Sequence, residues 1–145
     1  MSEFCKEKPS FYYLATEESI QANRNAFRLM VADFLQNDLL KSAVDASWEM
    51  IFSVLLSAQE NKKLVIVLDE FQYLGKADKA FPSVFQKIWD TLLKNKNVEV
   101  ILCGSLVHMM MEQTLSYSSP LYGRRTGQIR LKQIPYAYYD RFFPD

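Results

Sequence analysis

The stretch KKLVIVLDEFQYL, residues 62–74, decides how this chain is read. Five consecutive apolar residues, Leu64 to Leu68, run directly into two carboxylates, Asp69 and Glu70. A short unbroken apolar run is the pattern of a strand buried on both faces, as in a parallel sheet covered by helices. Two negative charges at the tip of such a strand need a reason. They can cap a turn or the following helix, or they can hold a metal and a water beside a nucleotide.

The flanking sequence supplies the rest of such a sheet. SFYYLAT (10–16) is short, aromatic and apolar, and predicts a buried strand in which Phe11, Tyr12 and Tyr13 pack. Thr16 can cap the next helix, with Glu17 and Glu18 in its first turn, where the helix dipole favours negative charge. Ile20, Phe27, Val31, Phe34 and Leu35 recur at helical spacing and predict a helix to about Leu40. A second helix carries Trp48, Ile51, Phe52, Leu55 and Leu56 on its apolar face, with Asp45 or Ser47 as its cap and residues 61–63 as its end. Pro82 suits the first turn of a third helix, whose stripe is Val84, Ile88 and Leu92. VEVILCGS (98–105) is the next buried strand, followed by a short helix in LVHMMMEQTL, a turn-rich loop in SSPLYGRRTG, and an alternating, edge-like strand in QIRLKQI (128–134). Repeated alternation of strand and helix predicts a parallel α/β sheet.

Bulk composition excludes several classes. The 145 residues carry 17 basic and 17 acidic side chains, so the formal charge is zero and no basic excess marks a polyanion-binding module. Cys5 and Cys103 are too few for a disulfide framework, and His108 alone makes neither a metal site nor a catalytic triad. No apolar run reaches membrane-spanning length and residues 1–11 form no signal core, which predicts a soluble, cytoplasmic protein with free thiols. His108 and the neighbouring methionines read as packing or surface residues of a helix, and the aromatic tail PYAYYDRFF (135–143) as an exposed apolar patch.

A parallel sheet binds ligands just beyond the carboxyl ends of its strands. Two polar strand tips fall there: Asp69-Glu70, and Gly104-Ser105. Phosphoryl transfer needs Mg²⁺ across the phosphates and an oriented water. Asp69 can hold the metal through its water shell, and Glu70 can act as general base on the water. Ser105 can sense the terminal phosphate or position that water, or it can simply cap the following helix. Arg124 and Arg125 can supply the cation that stabilises transition-state charge, or belong to a solvated loop.

Taken together and in order, LVIVLDEFQYL (64–74), VILCGSLVHMMM (100–111) and SPLYGRRTGQIRL (119–131) resemble the archaeal-type ATPase family, of the AAA+/STAND group of P-loop NTPases. The resemblance implies that Asp69 and Glu70 are the Walker B pair, that Ser105 stands at sensor 1, and that Arg124 or Arg125 is the basic element before the fifth strand. It implies ATP and Mg²⁺ as cofactors. The 145 residues contain no Gly-x-x-x-x-Gly-Lys-Ser/Thr, and the only Gly-Lys, Gly75-Lys76, follows the Asp69-Glu70 strand and is itself followed by Ala77. The family's first strand and P-loop are therefore expected before Met1, and its helical lid beyond Asp145.

The expected fold is α/β: a three-layer α/β/α sandwich with a mostly parallel sheet, P-loop NTPase-like, without the first strand. Residues 1–145 would form a partial AAA+-like ATPase core with no second domain. In the family arrangement the first strand lies between the fourth and the fifth, so its absence leaves open edges. Pairing of residues 128–131 with residues 98–102, or exchange with a second copy, would cover them.

Three functions remain open. The chain is the central portion of an ATP-hydrolysing module, expected not to bind ATP alone, or a non-catalytic remnant that binds or assembles through its edges. A nucleic-acid-linked role rests on analogy with relatives that carry nuclease-like domains, and the charge balance does not support it. The implied partners are a second copy or the remainder of the ATPase, with neither nucleic acid nor membrane indicated.

Overall fold

The computed structural model of the chain describes residues 8–57 and 63–132. Three parallel strands form one sheet in the order β1-β2-β3: β1 (Ser10–Leu14), β2 (Leu64–Asp69) and β3 (Val98–Leu102). Phe11 lies beside Ile66 and Tyr13 beside Leu68; Ile66 in turn lies beside Val100 and Leu68 beside Leu102. Side chains at such partners share a face, so one face presents Phe11, Tyr13, Leu64, Ile66 and Leu68 together, all buried in one core cluster. On the opposite face Val65 and Val67 are also fully buried, which meets the expectation of a central strand out of water on both sides.

The core face is covered by α1 (Ile20–Leu35), α3 (Trp48–Leu56) and α5 (Phe81–Ile88). Phe27 of α1 sits at the centre. Its ring centroid lies 5.4 Å from Phe11, 5.1 Å from Tyr13, 5.2 Å from Trp48 and 4.9 Å from Phe52. Aromatic pairs in tilted or edge-to-face contact add about 0.5–1.5 kcal/mol each beyond area burial, so this cluster joins two helices to β1 more firmly than aliphatic packing would.

Several local expectations are corrected. The cap of α1 is Ser19, whose Oγ accepts the Ala22 N–H at 3.1 Å, and not Thr16. Thr16 is occupied by Asn23: its N–H donates to Asn23 Oδ1 and its carbonyl accepts from Asn23 Nδ2, both at 3.0 Å. Buried Asn23 also accepts the Tyr13 hydroxyl at 2.9 Å, tying the end of β1 to the first turn of α1. Glu17 and Glu18 thus precede the helix.

The helix expected to reach Leu40 breaks at Gln36, which takes a left-handed conformation (φ 51°). Asn37 then caps a separate short helix, α2 (Asp38–Ser42), by accepting the Leu40 N–H at 2.9 Å. Buried Arg28 closes that helix by donating to the carbonyls of Leu40 (2.8 Å) and Lys41. Of the two candidate caps for α3, Ser47 takes the role, accepting the Met50 N–H at 3.2 Å. The helix ends at Leu56, with Ser57 as its C-cap, and not at the expected residues 61–63.

A short helix not expected from the sequence, α4 (Gln72–Ala77), follows β2 directly. Pro82 lies in the first turn of α5, as predicted. Beyond Ile88 the helix widens into a π-helical turn, Trp89–Leu93. The wider turn moves the apolar stripe by one residue, so Leu93 rather than Leu92 is fully buried. After β3 come α6 (Val107–Met110) and its π-helical continuation Met111–Leu115, where a short helix was expected.

The last predicted strand does not form within the described residues. Residues 128–132 join no ladder, and Ile129 and Leu131 are 89% and 90% exposed. Among the described residues the outer edge of β3 is open, yet residues 128–132 do not pair with it, so the expected pairing with residues 98–102 is not formed. Residues 133–134 and the aromatic tail lie outside the described residues.

Gln36 supplies a test of the helix break. Left-handed backbone costs a side-chain-bearing residue roughly 1 kcal/mol, which glycine avoids in part at the expense of a freer unfolded chain. Gln36→Gly is expected to raise stability by about 0.5–1 kcal/mol in urea unfolding. A loss of stability would show that α1 and α2 are not separated by this conformation.

Candidate functional site at the tips of the second and third strands

β2 and β3 run parallel, so their carboxyl ends meet at one rim. Pairing continues past the strands: the Cys103 N–H donates to Leu68 O at 3.1 Å and the Phe71 N–H to Cys103 O at 3.0 Å. Between them Glu70 adopts φ 52°, a left-handed conformation that costs a non-glycine residue on the order of 1 kcal/mol. Such strain persists where surrounding contacts hold it, and Glu70 has three donors on one oxygen. Its Oε2 accepts the Ser105 N–H at 3.2 Å, the Ser105 hydroxyl at 3.0 Å and the Gln72 side-chain amide. Ser105 therefore spends its hydroxyl on Glu70. Of the two roles open to it, helix capping is not the one seen: α6 has no side-chain cap.

Asp69, on the other side of the strand tip, has its own donors. Oδ2 accepts the Tyr12 hydroxyl at 2.5 Å, while Oδ1 accepts the Glu70 N–H at 2.9 Å and the Cys103 thiol at 3.1 Å. Neither Tyr12 nor Cys103 was singled out for this site from the sequence. The signal was strand parity: residues 12, 67, 69 and 103 fall on the same face once the register is known.

These contacts set the charges. Burial is the largest single influence on Asp69 and pushes its pKa up, but hydrogen bonds from Tyr12, Cys103 and the Glu70 amide together outweigh it and leave the carboxyl below its ordinary value. Glu70 is also lowered, first by the Gln72 amide and then, against burial and the nearby Asp69 charge, by Ser105. The donors shift the opposite way. Tyr12 is pushed up to about 12, mainly by its bond to Asp69, and Cys103 to about 12 by burial and then by Asp69. At neutral pH the rim thus presents two carboxylates, with a neutral phenol and a neutral thiol.

The cations proposed from the sequence are engaged elsewhere. Arg124 forms a forked pair with Asp90 on the π-helical turn after α5 (Nη2 to Oδ2 2.7 Å, Nε to Oδ1 3.0 Å) and donates to Pro120 O at 2.8 Å. Arg125 donates to Gln128 Oε1 at 2.6 Å. Asp69, Glu70 and Ser105 are brought together; Arg124 and Arg125 are not in contact with them. Gly75-Lys76 lies inside α4, and Lys76 pairs with Glu17. His108 is exposed on α6.

Among the described residues no cluster of three metal-ligating side chains exists. A single strand-tip carboxylate still suits Mg²⁺, which keeps several waters and leans on substrate phosphates rather than on an all-protein cage. Asp69 is the residue that fits that part.

Asp69 gives a pH test. A lowered carboxyl pKa contributes stability above the ordinary carboxylate range, and that contribution is lost as pH falls through the lowered value. Tyr12→Phe removes one of the bonds that lower it while burial remains. The Asp69 carboxyl is then expected to titrate at higher pH by ¹³C NMR, and the acid loss of stability it contributes to shrink, because the gap between its folded and unfolded values narrows. An unchanged titration would mean that the Tyr12 contact does not hold Asp69 ionised.

Comparison with known proteins supplies the family and the fold. A family model described as an ATPase domain predominantly from Archaea matches residues 3–144. Two uncharacterized proteins of Methanocaldococcus jannaschii are similar to the chain. One is 41% identical over 97 residues, covering 67% of this chain and 21% of that protein. The other is 34% identical over 92 residues, covering 63% and 88%. A solved Walker-type ATPase of Pyrococcus abyssi shares the fold with a TM-score of 0.54 at 21% identity, over 83% of this chain and 41% of that one. The chain thus spans well under two thirds of the first relative and of the solved ATPase. With a parallel sheet ending in this acidic rim and a family match over nearly its whole length, the chain belongs to the family of ATPase domains found predominantly in Archaea.

Proposed function

We propose that this chain contributes the acidic half of an ATP-hydrolysing site, with Asp69 and Glu70 as its Walker B pair. The observation that carries the proposal is the contact across the strand tips, in which Ser105 at the end of β3 holds Glu70 at the end of β2. A residue at the sensor position that grips the general base is what hydrolysis needs, because the attacking water must be held at a fixed angle.

Glu70 is ionised at neutral pH, as its lowered pKa requires. Its Oε2 is taken by donors, and Oε1 accepts no hydrogen bond among the described residues, which leaves that oxygen to receive a hydrogen from water. Low basicity suits it to orienting and polarising the water more than to removing its proton early. Asp69 would hold a hydrated cation through that cation's waters, with Tyr12 and Cys103 fixing the carboxylate plane. Bound Mg²⁺ would supply neutralising charge across the phosphates.

The phosphate-wrapping loop has no counterpart in these 145 residues, and Lys76, beside the only Gly-Lys glycine, is spent on Glu17. We therefore read the chain as part of an AAA+/STAND-type module that binds nucleotide only together with a phosphate-binding segment. The outer edge of β3, unpaired among the described residues, is where such a segment or a second copy would join. The same open edge supports the alternative of an assembly module without catalysis. Arg124 or Arg125 would reach the phosphates only if rearranged or offered to a neighbouring copy. Among the described residues no helix is long and apolar enough to cross a membrane, in keeping with the cytoplasmic setting we assign.

Titration calorimetry of the chain alone with Mg-ATP is expected to show no micromolar binding, because each missing charge-assisted phosphate contact costs about 1.5–3 kcal/mol. Joined to a segment that carries a phosphate-binding loop, Glu70→Gln is expected to lower hydrolysis about 100-fold or more while nucleotide still binds. Asp69→Asn should instead weaken the Mg²⁺ dependence of binding. Parent-like turnover by Glu70→Gln would remove the Walker B assignment.

A further inference from the structure

Glu70 is held from a second direction that the reading above does not use. Gln72, in the first turn of α4, is fully buried, and its Nε2 donates to the same Oε2 that Ser105 holds. Its other amide atom, Oε1, is buried without a hydrogen-bond partner and lies against Gly104, where a Cβ would overlap it. Only a residue without a side chain fits at position 104 with the amide in this place. The backbone carbonyl of Gln72 accepts Nε2 of Gln113 at 3.0 Å, from the π-helical turn Met111–Leu115. The Gln113 amide is in turn pressed on Gly75 of α4, where a Cβ would come to 2.5 Å, and its Oε1 is also buried without a partner. Gln113 O accepts the Ser119 hydroxyl at 2.5 Å, which fixes this turn to the loop beyond it.

A purely structural role does not explain these amides. Leucine or methionine would fill the same volume at either site without burying an unsatisfied oxygen, whose lost hydration destabilises the fold. What an amide provides at position 72, and an aliphatic chain does not, is a donor to the Glu70 carboxylate.

We infer that Gln72 is a positioning residue for Glu70, and that Gln113 positions Gln72. The segment from Ser105 to Leu115 then sets the carboxylate by two routes, directly through Ser105 and indirectly through Gln113 and Gln72. Displacement of that one segment would release both Ser105 donors from Oε2 and remove the Gln113 contact that fixes Gln72. The inference rests on Glu70 being the functional carboxylate proposed above, but the geometry can be tested without nucleotide.

The test is NMR of the full chain at neutral pH, following the side-chain amides of Gln72 and Gln113 and the Glu70 carboxyl carbon. The Gln72 side-chain protons are expected to exchange at least about tenfold more slowly than those of exposed Gln21, and to lose that protection in Glu70→Ala. Gln72→Met, which keeps volume, is expected to move the Glu70 carboxyl signal. A merely structural Gln72 would change the melting temperature and leave that signal in place. Should Gln72→Met not fold, Gln113→Ala decides, since it should shift both the Gln72 amide and the Glu70 carboxyl while Ser105 remains. Unprotected Gln72 protons in the parent chain, or a Glu70 signal unmoved by Gln113→Ala, would overturn the inference. Parent-like hydrolysis by Glu70→Gln with this network intact would instead remove the catalytic reading and leave the geometry standing.

Discussion

Parallel pairing of β2 with β3 is the constraint on which the rest of the molecule depends. Because Leu68 lies beside Leu102, the two chains leave the sheet level with each other, and the next backbone bonds run from Cys103 to Leu68 and from Phe71 to Cys103. A slip of one residue would turn every β3 side chain to the other face, taking Cys103 away from Asp69 and Val100 and Leu102 out of the core. The core prevents that slip. Val98, Val100 and Leu102 pack against a cluster whose centre, Phe27, is fixed by four aromatic neighbours. Packing on one face of the sheet thus sets the geometry at its rim.

Two adjacent carboxylates at one strand tip would repel each other if they shared a space. Pleating and the left-handed turn at Glu70 separate them. Asp69 faces Tyr12 and Cys103 on the β1 side and the neighbouring strand, whereas Glu70 is turned to Gln72 and Ser105. Each is balanced by neutral donors, and among the described residues no Lys or Arg hydrogen-bonds to either carboxylate. A rim built in this way stays negative, which suits it to a hydrated divalent cation and leaves it dependent on basic groups elsewhere to hold phosphate.

The main strands and helices were legible because their apolar periods are strong: Leu64 to Leu68 as an unbroken run, and Trp48, Ile51, Phe52 and Leu55 as a helical stripe. Asp69, Glu70 and Ser105 were legible because parallel topology sends strand tips to one rim. What escaped was mostly decided by side chains competing for backbone groups. Asn23 took both backbone polar groups of Thr16 and Glu18 took its hydroxyl, leaving Ser19 to cap α1, and Asn37 ended the long helix by starting another. Arg124 was legible as a cation but not as the partner of Asp90, because that pairing joins residues 34 apart across a π-helical turn that no period announces. Tyr12 read as a packing residue, Cys103 as a free thiol and Gln72 as nothing in particular, since their roles exist only once register places them beside a carboxylate. The alternation at residues 128–132 is real, but alternation alone does not make a strand, and these residues leave the open edge of β3 unpaired.

The contact between Glu70 and Ser105 is where fold and proposed chemistry meet, and a double-mutant cycle measures it directly. Urea unfolding of the parent chain, Glu70→Ala, Ser105→Ala and the double variant gives the coupling free energy between the two side chains. If Ser105 holds the carboxylate across the strand tips, the coupling should be favourable and about 0.5 kcal/mol or more, as for residues in contact within one hydrogen-bond network. A coupling indistinguishable from zero, with all four proteins folded, would contradict the rim as described and the site built on it.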